Sequence, residues 1–347
     1  MPYQRGSAMI DNYTDRIMLD TCLTYDEPSL NAMWNALYSR GYYRYWHGYV
    51  VFLKPLLYFF QLYKLRIFIS AVHLMLFLTV FILLYKRYGL RLAIPFAASW
   101  FALSSMVVST CLQYTTVYFL VFLGMIFCLC FYRKPEDTHK MLYMFIVLGS
   151  LTSFLDLFTF PLAAMTMPMS IMVYSDVIEY RKKTLPEIGK IFGCSALFAI
   201  SYSVTWFSKW YISHWFIGTN AINSAKDAAM FRIFGEGDMS TISQRMIPLR
   251  DNLYAIPLLK VLAKSPLTYI LILAGIIIGR EYKKLYEFIP LYIIALMPYI
   301  WYLVMANHSY IHSYFTCRAQ MATIFSLLII IYFSLEKLIK ALINLKK

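Results

Sequence analysis

The sequence predicts an all-α membrane protein, a polytopic bundle of transmembrane helices, and three observations support this fold class. Hydrophobic residues make up 60% of the 347 residues, whereas charged residues make up 14%. The hydrophobic residues are gathered in runs, several of them near the lower length limit for crossing about 30 Å of hydrocarbon. The loops between the runs alternate between strongly basic and uncharged. Because lipid offers backbone groups no water to pair with, these runs are predicted to be helices.

The first 64 residues are predicted to form an extracytoplasmic loop. Its last part, 49–63, is apolar but is interrupted by Lys54, Pro55 and Gln61, which favours an interfacial helix over a span. Residues 65–347 are predicted to form one transmembrane domain of about nine spans, with outer loops at 212–265 and 306–320. The predicted spans are 65–85, 92–110, 115–132, 141–156, 158–175, 191–211, 266–279, 286–305 and 321–335.

The basic residues predict how the chain is oriented in a cell membrane. More than half of the 32 Lys and Arg residues lie at 86–91, 133–140, 181–190, 280–284 and 337–347. Since Lys and Arg in short loops resist translocation, these segments and the C-terminus are predicted to be cytoplasmic. Nine spans would then put the N-terminus outside, so a further hydrophobic helix is expected upstream of Met1. The alternative is that 49–63 crosses the membrane.

Charge and cysteine content limit the partners. The net charge of +14 is explained by cytoplasmic basic loops, which attract anionic membrane lipids, and no nucleic-acid partner is predicted. The six cysteines are scattered, without the spacing of a disulfide framework or a metal site.

Three polar clusters lie in the predicted outer loops. In the first, GSAMIDNYTDRIMLD at 6–20, Asp11 and Asp15 are four residues apart and would share one face of a helix, with Arg16 beside them. Two carboxylates there suit a general base or a divalent cation, the one cofactor that the sequence suggests. A solvated loop with a helix N-cap explains the spacing as well.

The second cluster, YYRYWHGY at 42–49, places His47 and Arg44 among aromatic residues. Aromatic rings beside polar groups suit a lipid headgroup or a sugar, and an aromatic belt at the membrane interface is an equal alternative. The third cluster, NHSYIHSYFTCR at 307–318, spaces His308 and His312 by one helical turn and is followed by Arg318. No third zinc ligand is evident nearby, so a cationic pocket for phosphate is favoured over a metal site. The alternative is an interfacial turn with a snorkelling arginine.

Asp156 is a further polar candidate, because it follows a hydrophobic run and precedes Pro161. An acidic group at membrane depth is costly and points to function, unless it is a helix-end carboxylate that reaches water.

The order of these features resembles the GT-C superfamily of polyprenyl-phosphate-dependent glycosyltransferases. The residues concerned are the acidic first loop, the segment HGYVVFLKPLLYFF, the run of spans and the late loop NHSYIHSYFTCR. The resemblance implies Asp11 or Asp15 as the base, and Arg318 with His308 or His312 as the grip on the lipid phosphate. It also implies the upstream helix.

The function expected from this resemblance is the transfer of a hexose or pentose from a polyprenyl phosphate to a hydroxyl of a glycan or lipid acceptor. The anomeric centre would be inverted, and the active site would be extracytoplasmic, in cell-wall or polysaccharide biosynthesis. Alternatives are a flippase or transporter of lipid-linked glycan, another membrane polysaccharide polymerase, and a membrane acyltransferase. The flippase is less favoured because few ionisable residues lie within the spans and the two halves differ.

Overall fold

The computed structural model describes residues 12–23, 44–103, 105, 111–218, 220–266 and 286–344. These residues form helices and no strand, which confirms the predicted fold class of an all-α polytopic bundle. The α-helices are α1 (Asn12–Leu23), α2 (Val50–Phe59), α3 (Leu62–Tyr88), α4 (Leu90–Ala102), α5 (Leu112–Phe131), α6 (Thr138–Leu155), α7 (Leu162–Tyr174), α8 (Thr184–Ile217), α9 (Ala221–Phe234), α10 (Ile242–Tyr254), α11 (Pro257–Lys264), α12 (Ile289–Val304), α13 (Ala306–Ile311), α14 (Ser313–Thr316) and α15 (Met321–Asn344).

The described helices include four stretches that are long and apolar enough to cross a membrane. They are Leu62–Tyr88, Leu112–Phe131, Thr184–Phe216 and Ser313–Phe333. The protein is therefore membrane-embedded. Helices α3 to α8, α12 and α15 lie at predicted spans, and that each of them crosses the membrane stays a prediction. Residues 104, 106–110 and 267–279 of the predicted spans lie outside the described residues.

Helix α2 has ten residues, about 15 Å at 1.5 Å per residue, which is half the thickness of the hydrocarbon core. Its Val51, Phe52, Tyr58 and Phe59 side chains are exposed. These features agree with the predicted interfacial helix, whose place at the membrane surface stays a prediction.

The centre of the bundle is α7. All residues from Ala163 to Tyr174 are buried, because α7 is apolar around its whole circumference and packs against α5, α12 and α15. Helices α6 and α8 pack extensively against each other beside it. Their approach depends on Gly149, since a Cβ atom there would overlap the Phe198 carbonyl oxygen and the Ser201 hydroxyl.

The connections between helices fall at two ends of the bundle. The basic end comprises residues 86–91, 133–137 and 175–190. The polar end comprises α1, residues 44–49, residues 156–161 and residues 305–320. This separation follows the alternation of basic and uncharged loops in the sequence. Which end faces the cytoplasm stays a prediction.

Candidate functional site

A cavity of about 260 Å³ lies at the polar end of the bundle. It is formed by α1, the segment before α2, the start of α5, the α6–α7 connection, α9, and the chain from α13 to α14. Its lining residues are Thr14, Ile17, Arg44, Tyr45, Gln113, Leu157, Thr159, Ala228, Phe231, Arg232, Asn307, His308, Ile311, His312 and Phe315. Segments far apart in the sequence therefore meet at one site.

Helix α8 fixes the backbone of the segment that carries Arg44. The indole nitrogen of Trp46 donates to the Thr205 carbonyl at 2.6 Å, and that of Trp210 donates to the Arg44 carbonyl at 3.0 Å. The Arg44 guanidinium in turn donates to the Ser224 hydroxyl at 3.4 Å. Trp46 of this cluster and Trp210 of α8 thus connect the segment to the bundle.

Arg232, on the last turn of α9, is a cavity residue that the sequence did not single out. Its guanidinium donates to the Tyr45 hydroxyl and, at 3.2 Å, to the Ala228 carbonyl. It also lies 5.4 Å from the centre of the Phe158 ring. No carboxylate of the described residues forms an ion pair with Arg232. In the sequence nothing distinguishes it from the other basic residues of 212–265.

The connection between α6 and α7 is organised by Asp156, which caps the C-terminal end of α6. Its carboxylate accepts hydrogen bonds from the backbone N–H and the hydroxyl of Thr159, at 2.8 and 2.7 Å. Within this turn Phe158 has φ +65°, a left-handed conformation that costs about 1 kcal/mol for a residue with a side chain. Burial raises the pKa of Asp156 to about 7, although the bonds from Thr159 oppose this shift.

His308 and His312 lie together at the cavity, as their spacing predicted, with ring centres 4.9 Å apart. Nε2 of His308 is 3.0 Å from the Phe158 carbonyl oxygen, and its ring also packs on the Phe158 and Phe315 rings. Burial lowers the pKa of His308 well below its usual range, and the neighbouring His312 and Arg232 lower it further. The His312 ring stacks on Phe315, with centres 4.8 Å apart.

The described lining residues include two arginines and two histidines but no aspartate or glutamate. Asp156 does not line the cavity, but the hydroxyl of the lining residue Thr159 donates a hydrogen bond to its carboxylate. A cavity with this set of side chains favours an anionic ligand, because bidentate arginine groups pair well with phosphate or carboxylate oxygens.

Asp15 is buried and lies behind the cavity wall. Its carboxylate accepts hydrogen bonds from the backbone N–H groups of Leu112 and Gln113, at 3.0 and 3.1 Å, and forms an ion pair with Arg66. It therefore satisfies the N-terminal N–H groups of α5 from a distant part of the chain. Burial raises the pKa of Asp15 above its usual value, while these donors oppose the rise.

Two other predicted residues lie away from the cavity. The Arg16 side chain is 82% exposed and pairs with Asp20 at 3.8 Å. His47 is buried with φ +54°, and its Nδ1 is hydrogen-bonded to the Tyr49 hydroxyl at 2.8 Å. Neither lines the cavity.

Arg318 is also separate from the cavity, although it follows the two histidines in the sequence. It is 3% exposed, and its guanidinium lies 4.2 Å from the centre of the Tyr114 ring and donates to the Tyr314 carbonyl. The sequence spacing of His312 and Arg318 could not predict this separation. The chain between His312 and α15 forms the short helix α14 and a 3₁₀ turn (Cys317–Gln320), which direct Arg318 inward. Asp11 lies outside the described residues.

The described residues contain no group of three or more His, Cys, Asp or Glu side chains that could hold a metal ion. No protein-family model, no curated protein and no solved structure matches this chain.

Proposed function

We propose that this protein is a membrane glycosyltransferase of the GT-C type, which moves a hexose or pentose from a polyprenyl phosphate to a hydroxyl of a glycan or lipid. The observation that carries the proposal is the cavity at the polar end. There Arg232 lacks a carboxylate partner among the described residues, and Arg44 lines the same space. A membrane-embedded protein with a cavity lined by two arginines at one end suits a lipid-linked phosphate.

In this proposal Arg232 binds the phosphate of the donor. The oxygen of the acceptor hydroxyl attacks the anomeric carbon, and the bond from that carbon to the phosphate oxygen breaks. The electron pair leaves with the phosphate, whose growing charge Arg232 stabilises, and the hydroxyl proton passes to a base. One displacement of this kind inverts the anomeric centre. Fixed cationic donors at a leaving phosphate are an effective way to lower such a barrier.

The proposed base is Asp11 or Asp15, and the contacts of Asp15 favour Asp11. Asp15 already accepts three hydrogen bonds, two from the start of α5 and one from Arg66. Asp11 precedes α1 by one residue in the sequence, and the first two turns of α1 supply Thr14 and Ile17 to the cavity. A divalent cation held by a carboxylate remains part of the proposal as a second way to activate the hydroxyl.

The proposed orientation places the polar end outside the cytoplasm, because the basic end carries the short loops rich in Lys and Arg. A donor already displayed on the outer leaflet would then reach the cavity laterally. The proposed role is therefore the assembly or modification of a cell-surface glycan.

The test is binding and consumption of a panel of polyprenyl-phosphate sugars by the purified protein in lipid nanodiscs. Arg232→Gln should weaken donor binding by roughly 10- to 100-fold, because a charge-assisted hydrogen bond to the phosphate is lost. Arg250→Gln is the matched control, since Arg250 is exposed and pairs with Asp251 at 2.9 Å. Asp11→Asn should abolish donor consumption while donor binding persists.

The proposal is wrong if the wild-type protein consumes no donor, or if Arg232→Gln binds and consumes donors like the control. Movement of a lipid-linked glycan between leaflets without consumption would replace it with the flippase alternative.

A further inference from the structure

The hydrogen bond between His308 and Phe158 fixes which ring nitrogen of His308 carries a proton. Nε2 is 3.0 Å from the Phe158 carbonyl oxygen, and a carbonyl oxygen can only accept a hydrogen bond. Nε2 is therefore the protonated nitrogen. In a neutral imidazole the other nitrogen, Nδ1, then presents a lone pair. The described residues supply no hydrogen-bond donor to Nδ1.

The surroundings of His308 favour this neutral form. The ring is buried against Phe158 and Phe315, and the Arg232 guanidinium lies over the same Phe158 ring, 5.4 Å from its centre. A second positive charge beside Arg232 in a buried position is unfavourable, and burial holds the pKa of His308 well below its usual range.

A neutral His308 cannot serve as a phosphate ligand through Nδ1. Phosphate oxygens of a diester carry no proton and only accept hydrogen bonds, as does the lone pair of Nδ1. The complementary group is a hydroxyl, which a sugar supplies in abundance. His308 therefore differs in function from Arg232, although both line the cavity.

We propose that His308 recognises the sugar of the donor by accepting a hydrogen bond from one of its hydroxyls at Nδ1, and that Asp156 is a positioning residue for this contact. This inference rests on the proposed function. It identifies His308 as the residue that recognises the sugar, whereas Arg232 binds the phosphate.

The positioning role follows from the turn at 156–159. Asp156 holds Thr159 through two hydrogen bonds, and this turn keeps Phe158 in its left-handed conformation. The packing of the Phe158 ring against Trp206 and Trp301, both at 5.1 Å between ring centres, offsets the strain. Because this turn fixes Phe158, the Phe158 carbonyl oxygen determines which ring nitrogen of His308 carries the proton and how the ring is oriented. A hydrogen-bonding neighbour sets the tautomer of a metal-binding or catalytic histidine in the same way.

The first experiment measures the state of the ring without any substrate. Protein labelled with ¹⁵N-histidine is studied by NMR in nanodiscs, and the His308 signals are assigned by their loss in His308→Gln. We expect a neutral ring with its proton on Nε2 at pH 6. Asp156→Asn and Thr159→Ser should keep this spectrum, because Asn still accepts in such a turn and Ser keeps the hydroxyl. Asp156→Ala and Thr159→Val should alter it. A proton on Nδ1, or a charged ring, in the wild-type protein overturns the proposal.

The second experiment compares the binding of bare polyprenyl phosphate with that of polyprenyl phosphate carrying glucose, galactose, mannose or a pentose. For the correct sugar, the wild-type protein should bind the sugar-bearing lipid roughly tenfold more tightly than the bare lipid. His308→Gln should reduce this ratio towards one, while its affinity for bare polyprenyl phosphate stays unchanged. His139→Gln, on the exposed surface of the basic end, is the matched control.

The outcomes separate the two proposals. If the wild-type protein binds neither lipid, both the proposed function and the proposed recognition of the sugar by His308 are wrong. If both lipids bind and Arg232→Gln weakens both, but His308→Gln keeps the wild-type ratio, only the inference about His308 is wrong. If Asp156→Ala leaves the ratio and the His308 spectrum unchanged, Asp156 is not a positioning residue.

Discussion

The Asp15 carboxylate on α1 forms an ion pair with Arg66 on α3, with 3.1 Å between Oδ2 and Nη2. The same carboxylate accepts hydrogen bonds from the first two backbone N–H groups of α5. Three elements that are separated in the sequence are thereby joined at one buried carboxylate, next to the cavity wall that Gln113 forms.

Asp15→Ala should therefore lower the free energy of unfolding by about 2 to 3 kcal/mol, since a helix cap and the partner of Arg66 are both lost. Asp20→Ala, on the same helix, removes a side chain that is 47% exposed. This substitution should change the free energy of unfolding by less than about 0.5 kcal/mol. The measurement is chemical unfolding in detergent micelles. Equal stability of the two variants would show that Asp15 does not hold these elements together.

The long apolar runs made the helices of the core predictable. A run that is apolar all round, as in α7, specifies a buried helix without further information. The helices α9 to α11 were missed within the predicted outer loop 212–265. Their polar sequences carry no span-length apolar run, so the pattern used to find spans could not detect them.

The candidate site was predictable only in part, because its walls come from distant segments. The spacing of His308 and His312 brings them together within one turn, whatever the rest of the fold does. Arg232 lines the cavity with the two histidines because of how α9 packs, and Arg318 turns inward, away from the cavity, because of how the chain at α14 packs. Neither kind of packing is visible in the local spacing of residues.

A second prediction concerns the contact of α6 with α8. Gly149→Ala should lower the stability by about 1 to 3 kcal/mol, because the new methyl group would overlap the Phe198 carbonyl oxygen and the Ser201 hydroxyl. Gly193→Ala is the matched control, since a Cβ atom at Gly193 meets no other atom within 4 Å. It should be neutral or slightly stabilising, because alanine is the better helix former. Thermal unfolding in nanodiscs gives the comparison, and a stable Gly149→Ala protein would mean that the two helices pack less closely.

A third prediction concerns the dependence of stability on pH. An exposed aspartate has a pKa of 3.8, and burial raises the pKa of Asp156 to about 7 in the folded protein. Between these values the folded state keeps a proton that the unfolded state has released. The contribution of Asp156 to stability is therefore fully present below about pH 4 and is lost as the pH rises to about 7, by up to ~1.4 kcal/mol per pH unit.

Asp156→Asn should remove this dependence, because asparagine does not titrate but keeps an acceptor for Thr159. The measurement is the unfolding midpoint of both proteins between pH 4 and 8, in the same detergent. The difference between them should change across this range and become constant above about pH 7. Parallel curves would contradict the raised pKa.

The last prediction concerns the basic end, where Asp176 is fully buried in a π-helical turn (Ser175–Glu179). The Lys190 ammonium pairs with Asp176 and, at 3.0 Å, with Glu187, while the Tyr132 hydroxyl donates to Asp176 at 2.6 Å. Lys190→Met would leave two buried carboxylates without their cation, which typically costs about 3 to 5 kcal/mol.

The matched control is Lys140→Met, which removes a half-exposed lysine from a pair with Asp137 at the same end of the bundle. It should leave the unfolding midpoint unchanged. Thermal unfolding of both variants in nanodiscs decides the matter. If Lys190→Met unfolds at the same temperature as Lys140→Met, water must reach Asp176 and Glu187 and solvate their charges. The ion pair between Lys190 and Asp176 would then contribute little to stability. A loss confined to Lys190→Met means instead that this cluster joins α7 to α8 at the end of the bundle opposite the cavity.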